Sequence, residues 1–291
     1  MTVLRIERIL APNAGVFTLE GTNTWIVGEG PSIVIDPGPD DDGHLDEIAR
    51  AAGAVEAVIV THDHEDHASG ASRLAALVRA PLHAFRLEGA SHLRDGQTIN
   101  AGPVSIVALH TPGHSSDHVV FHLPQEGALF TGDAVLGRGT SFIDPPDGDL
   151  VAYLRSLKRM RDLGPRTLYP GHGPVVLDGD AKLGEYIDHR AEREGQIVDA
   201  IAGGARTISQ QVSIIYGAYP PEVHTLAARS ILSHLLKLEA EGRVVRSGKG
   251  DDATWEPIVP RECARCGRPV KGRARYCSTC SLVILQEGAG T

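Results

Sequence analysis

The segment Thr61-His62-Asp63-His64-Glu65-Asp66-His67 sets three imidazoles among three carboxylates, directly after the apolar run Ala57-Val58-Ile59-Val60. Imidazole and carboxylate are the ligands that first-row metals favour. Histidines two and three residues apart serve neither a packed core nor one face of a helix. The reading is a buried strand that ends in a metal-binding loop, and a merely polar, histidine-rich loop is the bland alternative.

Three further segments have the same form, a β-like run ending in a glycine-flanked polar tip. They are Leu109-His110-Thr111-Pro112-Gly113-His114-Ser115-Ser116-Asp117-His118, Ala128-Leu129-Phe130-Thr131-Gly132-Asp133 and Thr167-Leu168-Tyr169-Pro170-Gly171-His172-Gly173-Pro174. Each offers one candidate ligand, His114, Asp133 or His172. With His62, His64, Asp66 and His67 they exceed what one tetrahedral zinc can take, and two metals sharing a carboxylate fit the set. His118 and His110 read as supporting or core histidines. His44, His83, His92, His122, His189, His224 and His234 have no motif around them.

Short β-like runs (Trp25-Ile26-Val27, Ser32-Ile33-Val34-Ile35) alternate with helical patterns over His44–Ala52, Ala68–Arg79, Leu150–Leu163 and Ala181–Ile201. That alternation predicts an α/β fold with helices outside sheets. A chain of 291 residues, 42% apolar, has material for more than one domain. No run of eighteen apolar residues is present, and Met1-Thr2-Val3-Leu4-Arg5-Ile6-Glu7 lacks the charged and apolar regions of a leader, so a cytoplasmic protein with no membrane partner is expected.

Charge divides the chain. Residues 1–200 carry 16 Lys and Arg against 29 Asp and Glu, a net of −13, whereas the remaining 91 residues carry 12 against 8, a net of +4. In that second part, Thr207–Tyr216 and Ala227–Gly242 read as helices. Arg243-Val244-Val245-Arg246 with Ala253-Thr254-Trp255 reads as a two-stranded wing, and together these predict a winged helix. Such a module reads nucleic acid or docks proteins; Arg229, Lys237, Arg243, Arg246 and Lys249 form only a modest basic set. The alternative is a lid beside the catalytic cleft.

All four cysteines fall late, as Cys263-Ala264-Arg265-Cys266 and Cys277-Ser278-Thr279-Cys280 with ten residues between the pairs. Paired CxxC knuckles close a tetrahedron of thiolates around a structural zinc, with no open position for catalysis. The catalytic part has no thiol nucleophile. Around the knuckles Arg261, Arg265, Arg268, Lys271, Arg273 and Arg275 face Glu262, a local net of +5 that suits a phosphate backbone or a solvated surface.

The order HxHxDH, TPGH, TGD and YPGHG resembles the metallo-β-lactamase superfamily over roughly the first two hundred residues. The resemblance implies a four-layer αβ/βα sandwich with the site at one edge. It implies that His62, His64 and His114 hold one metal, that Asp66, His67 and His172 hold the other, and that Asp133 bridges. Asp36, in Asp36-Pro37-Gly38, resembles the superfamily's supporting aspartate, an acceptor that orients a ligating ring. One departure is Ser69, where the superfamily usually has x-Gly-Gly after its last motif histidine, so packing there is expected to differ slightly.

Leu19-Glu20-Gly21-Thr22-Asn23-Thr24-Trp25, Gly137-Arg138-Gly139-Thr140 and Tyr186-Ile187-Asp188-His189-Arg190 are similar to the β-lactamase-like endoribonuclease group, which includes a mitochondrial single-strand RNase. The expected organisation is therefore a catalytic domain at 1–203, a winged helix at 204–258, a four-cysteine zinc ribbon at 259–283 and a tail at 284–291. Two zinc ions about 3.5–4 Å apart, or manganese or iron in the same shell, would supply a bridging hydroxide at neutral pH. Asp66 and Asp133 would be the catalytic carboxylates.

The function implied first is an endoribonuclease acting on single-stranded RNA. A thioesterase or a glyoxalase-II-like ester or lactone hydrolase is the alternative, and a nucleic-acid-binding protein with a vestigial site is a third reading. Fold does not choose among them. A homodimer is left open by the sequence.

Overall fold

The computed structural model describes residues 4–258, 261–263, 265–266, 269–270 and 279–280. The chain divides into two compact units, Met1–Arg193 and Glu194–Thr291.

The first unit is built on two sheets. One has the order β1 (Ile6–Leu10), β2 (Asn23–Val27), β3 (Ser32–Ile35), β4 (Val55–Ile59), β5 (Leu82–Ala84), β6 (Ser91–His92). The other runs β11 (Thr167–Pro170), β10 (Ala128–Gly132), β9 (Val119–Leu123), β8 (Val104–His110), β7 (Thr98–Ala101).

Side-chain alternation along each strand explains the layering. Trp25, Val27, Ile33, Ile35, Ala57 and Ile59 from the first sheet meet Ile106, Val119, Phe121, Ala128 and Phe130 from the second in one core. The intervening Ile26, Val34 and Val58 point the other way, onto α1 (Asp42–Ala52) and α3 (Ala71–Val78). Val120 and Leu129 likewise pack on α4 (Leu150–Arg161) and the first half of α5 (Gly179–Ala202). Strands covered on both faces read as continuous apolar runs. The result is the αβ/βα sandwich expected above.

β3 and β4 run parallel, as do β10 and β11. Their carboxyl ends carry Asp36, the His62 loop, Asp133 and His172, the place where loops of an α/β sheet gather ligands.

At the Ser69 departure, the close approach falls one residue later. A Cβ at Gly70 would lie 2.8 Å from Pro39 O and 2.9 Å from Leu45 Cδ2, so the position that needs glycine keeps it. Ser69 is exposed; its hydroxyl donates to Glu65 O (2.6 Å) and accepts from Asp40 N (3.1 Å).

The second unit packs Ile197 and Ile201, from the last turns of α5, with Val212, Ile231, Leu235, Leu238, Val244 and Trp255. These come from α6 (Ile208–Ile215), α7 (His224–Ala240) and the antiparallel hairpin β12 (Val244–Ser247) and β13 (Thr254–Pro257). This is the winged helix, and the last turns of α5 supply its first helix. A short hairpin follows, β14 (Arg261–Glu262) with β15 (Pro269–Val270). Among the described residues no helix is long and apolar enough to cross a membrane.

Candidate metal centre

The seven candidate ligands converge. The donor atoms of His62, His64 and His114 lie within 4.8 Å of one another, and so do those of Asp66, His67 and His172. His62, His67 and Asp133 form a third such group that joins the two. Asp133 faces both sides: Oδ1 is 3.4 Å from His67 Nε2 and 3.3 Å from His172 Nε2, and Oδ2 is 3.7 Å from His114 Nε2.

The second nitrogen of each ring decides what the first can do. His67 Nδ1 donates to Asp36 Oδ2 (2.9 Å), His172 Nδ1 to Gly21 O (3.2 Å) and His114 Nδ1 to Phe142 O (2.8 Å), because a carboxylate or carbonyl can only accept. Thr61 Oγ1 gives its proton to Asp36 Oδ2 (2.7 Å), so it accepts from His62 Nδ1 at 3.0 Å. In all four rings Nδ1 therefore carries a proton, and Nε2 is the nitrogen turned toward the other ligands.

Those ring nitrogens are crowded together. His67 Nε2 and His172 Nε2 are 3.1 Å apart, and His64 Nδ1 is 2.9 Å from His62 Nε2 and 3.1 Å from His114 Nε2. One proton on His64 could satisfy only one of its neighbours. Asp133 Oδ1 is buried without a hydrogen-bond partner. Ring nitrogens packed this closely to one another around a shared buried carboxylate are what divalent cations would resolve, and the residues fit two of them.

Electrostatics agree. Burial would raise the Asp133 carboxyl, but the His67, His172 and His114 rings hold it below the usual carboxylate range. Burial opposes a charge on His67, yet the Asp133 and Asp36 carboxylates outweigh it and hold the ring well above the usual imidazole value. His62 and His118, in contrast, are kept neutral first by burial and then by neighbouring rings.

His118 does not present a lone pair to this cluster, because its Nε2 accepts from Asp133 N (3.2 Å) and its Nδ1 faces Thr111 Oγ1 (3.2 Å). His110 stacks on Phe85 with ring centroids 4.0 Å apart. Among the described residues no other histidine joins a ligand group.

Asp36 holds both halves, through His67 directly and through Thr61 to His62. It does so with φ of 51°, a left-handed conformation that costs a non-glycine residue about 1–3 kcal/mol and is kept only where surrounding contacts fix it. Gly171 has no room for a side chain, since a Cβ would lie 2.6 Å from His67 Cε1 and 2.9 Å from Asp133 Oδ1.

Several supports lie in segments that the sequence singles out, without their roles being legible there. Asn23 Nδ2 donates to Pro170 O (2.9 Å) and Gly173 O (2.8 Å), pinning the loop of His172. Asp117 accepts from Ser115 Oγ (2.7 Å) and from Asp63 N (3.0 Å), tying the His62 loop to the His114 loop. Arg190, 4% exposed, donates to Ser141 O beside Phe142 and lies over the Tyr153 ring at 5.5 Å. Tyr186 Oη accepts from Leu136 N (2.9 Å). The Tyr186–Arg190 helix segment thus fixes the loop that orients His114.

Of the cysteines, the donor atoms of Cys263, Cys266 and Cys280 lie within 4.8 Å of one another, and Cys277 lies outside the described residues. In the winged helix, Lys237 pairs with Glu194 (2.6 Å) and Glu241 (2.8 Å), Arg243 pairs with the same two carboxylates, and Arg246 pairs with Glu239 (3.5 Å).

Comparison with known proteins accords with this geometry. Residues 17–172 match the Metallo-beta-lactamase superfamily, and residues 207–255 match the Beta-lactamase associated winged helix domain. An "Atrochrysone carboxyl ACP thioesterase" of Aspergillus chevalieri is 37% identical over 271 residues, 86% of each chain. A "Beta-lactamase-like protein 2 homolog" of Drosophila melanogaster is 31% identical, over 85% of this chain and 92% of that protein. Among solved structures, a beta-lactamase domain protein from Burkholderia ambifaria shares the fold with a TM-score of 0.74 at 21% identity, over 87% of this chain and 91% of that one. With its ligand groups, its sandwich and these matches in agreement, the chain belongs to the metallo-β-lactamase superfamily of metal-binding hydrolases and carries that family's associated winged helix.

Proposed function

We propose that this enzyme hydrolyses acyl thioesters. The observation that carries the reading is the 37% identity, over 86% of both chains, with a protein named as an acyl-carrier thioesterase. In this reading His62, His64 and His114 would hold one zinc and Asp66, His67 and His172 a second, with Asp133 facing both groups. Two such cations would lower the pKa of water toward about 7 and polarise an attacked carbonyl.

The chain's own residues supply orientation. Asp36, Gly21 O and Phe142 O fix three rings with Nε2 inward, and His118 fixes the backbone of Asp133. Asp66, with its side chain 29% exposed against 15% for Asp133, is the carboxylate open to solvent and is assigned to orient the attacking water. Residues 1–262 contain no cysteine, which suits direct attack by water rather than a thiol-linked acyl intermediate.

Single-strand RNA cleavage is the second reading. It is favoured by the motif set shared with the endoribonuclease group and by the winged helix. It is weakened by the carboxylate partners of Lys237, Arg243 and Arg246, because a cation already paired offers less to a phosphate backbone.

The deciding experiment assays the zinc-loaded protein side by side on an acyl-N-acetylcysteamine thioester and on end-labelled single-stranded RNA. The His62→Ala/His64→Ala variant serves as control. Thioester turnover that disappears in the double variant is expected. Metal-dependent RNA cleavage without thioester turnover would overturn the reading and establish the second.

A further inference from the structure

We propose that the segment after the winged helix binds a zinc ion through four thiolates, separate from the hydrolytic centre and structural in role. Nothing in the family matches reaches it, since they end at residue 255.

The segment needs a staple. Between Arg261 and Cys280 the only large apolar side chains are Val270 and Tyr276, set among Arg261, Arg265, Arg268, Lys271, Arg273 and Arg275. Small units so poor in apolar side chains are commonly held by a metal or a disulfide.

The geometry favours the metal. β14 and β15 pair Arg261 with Val270 and Glu262 with Pro269, so Cys263 and Cys266 lie in the turn of a hairpin. Cys280, from farther along the chain, arrives at the same point with its donor atom within 4.8 Å of both. Disulfides join sulfurs in pairs and give a third sulfur no reason to stand close to two others. A tetrahedral zinc with Zn–S of about 2.3 Å sets all its sulfurs about 3.8 Å apart. Cys263 and Cys280 are buried and Cys266 is exposed, and Cys277, three residues before Cys280 in the sequence, makes a fourth thiol by its CxxC spacing.

Cobalt substitution of the full-length protein tests this, because thiolate-to-cobalt charge transfer gives near-ultraviolet absorption that histidine and carboxylate ligands do not. A tetrathiolate spectrum is expected in the wild type. It should persist in His62→Ala/His64→Ala and be lost, with one equivalent of zinc, in Cys266→Ser. If Cys266→Ser fails to fold, the wild-type spectrum alone decides. Absence of thiolate bands in the cobalt-loaded wild type, or fewer than four titratable thiols in the unreduced, denatured protein, would overturn the assignment in favour of disulfides. Neither result depends on which substrate the hydrolytic centre takes.

Discussion

Asp133 is the residue on which two ligand groups depend, and its chemistry is that of a charge rather than a shape. An amide at this place keeps the volume but offers only one oxygen, so it cannot face His67 and His172 on one side and His114 on the other as an acceptor. Asp133→Asn is expected to lower kcat/KM by about 100-fold at matched metal content, the upper end of the losses seen when the shell of a metal site is disturbed. Activity within about tenfold of wild type would remove Asp133 from the bridging position. His67 gives a second test with a definite sign. Its folded pKa lies well above the usual imidazole value of 6.5, so in the metal-free protein its charge contributes stability that is complete below 6.5 and is lost as pH rises through the raised value. A divalent cation must displace that proton. Zinc loading near pH 7.5 should therefore release protons to an indicator, and apparent zinc affinity should increase with pH; loading without proton release would show His67 to be neutral beforehand. The ligands themselves were legible because each stands at a glycine-marked loop tip after an apolar run. Asp117 and Arg190 stand inside segments that the sequence singles out, but their roles were not legible, because Asp63 N and Ser141 O are backbone partners that only the fold brings to them.

At the scale of elements, periodicity identified the helices and missed where their ends belong. The run Ala181–Ile201 reads as one helix, and α5 is one helix over Gly179–Ala202, but Leu183 and Tyr186 serve the sandwich while Ile197 and Ile201 serve the winged helix. A continuous amphipathic pattern does not record that its apolar face changes partners. The stretch read as helical over Ala68–Arg79 begins earlier, with the short α2 (Glu65–Ala68) that carries Asp66 and His67, and Gly70 starts α3. Caps are more local, and hence more legible. Thr207 and Gln210 form a capping box at α6: Thr207 Oγ1 accepts from Gln210 N (3.2 Å), and Gln210 Oε1 accepts from Thr207 N (3.1 Å). Thr207→Ala should cost about 1 kcal/mol and lower the thermal midpoint of the winged helix by a few degrees while leaving hydrolysis unchanged. Equal stability by calorimetry would mean that Gln210, which also accepts from Arg206 N (2.7 Å), caps the helix alone.

The whole molecule joins modules that are stabilised by different means. The sandwich buries three apolar clusters and has the ligands for metals, the winged helix buries one cluster around Trp255, and the segment beyond it holds all four cysteines. Composition signalled this division through the change in net charge and the late cysteines, whereas the site at which α5 passes from one unit to the other lay beyond it. The two tryptophans fall one to each unit and make the division measurable. Trp25 lies in the inter-sheet core and donates Nε1 to Pro170 O (3.1 Å), two residues before His172; Trp255 is fully buried in the winged helix, in a cluster that includes no candidate ligand. Metal bound only by the folded sandwich stabilises it by mass action, about 2.7 kcal/mol at a free concentration one hundred times the Kd. A chelator should therefore lower the denaturant midpoint reported by Trp25 in a Trp255→Phe variant. The midpoint reported by Trp255 in a Trp25→Phe variant should stay where it was. If both midpoints fall together, the two cores unfold as one cooperative unit, and the stability supplied by the metals extends through α5 into the winged helix.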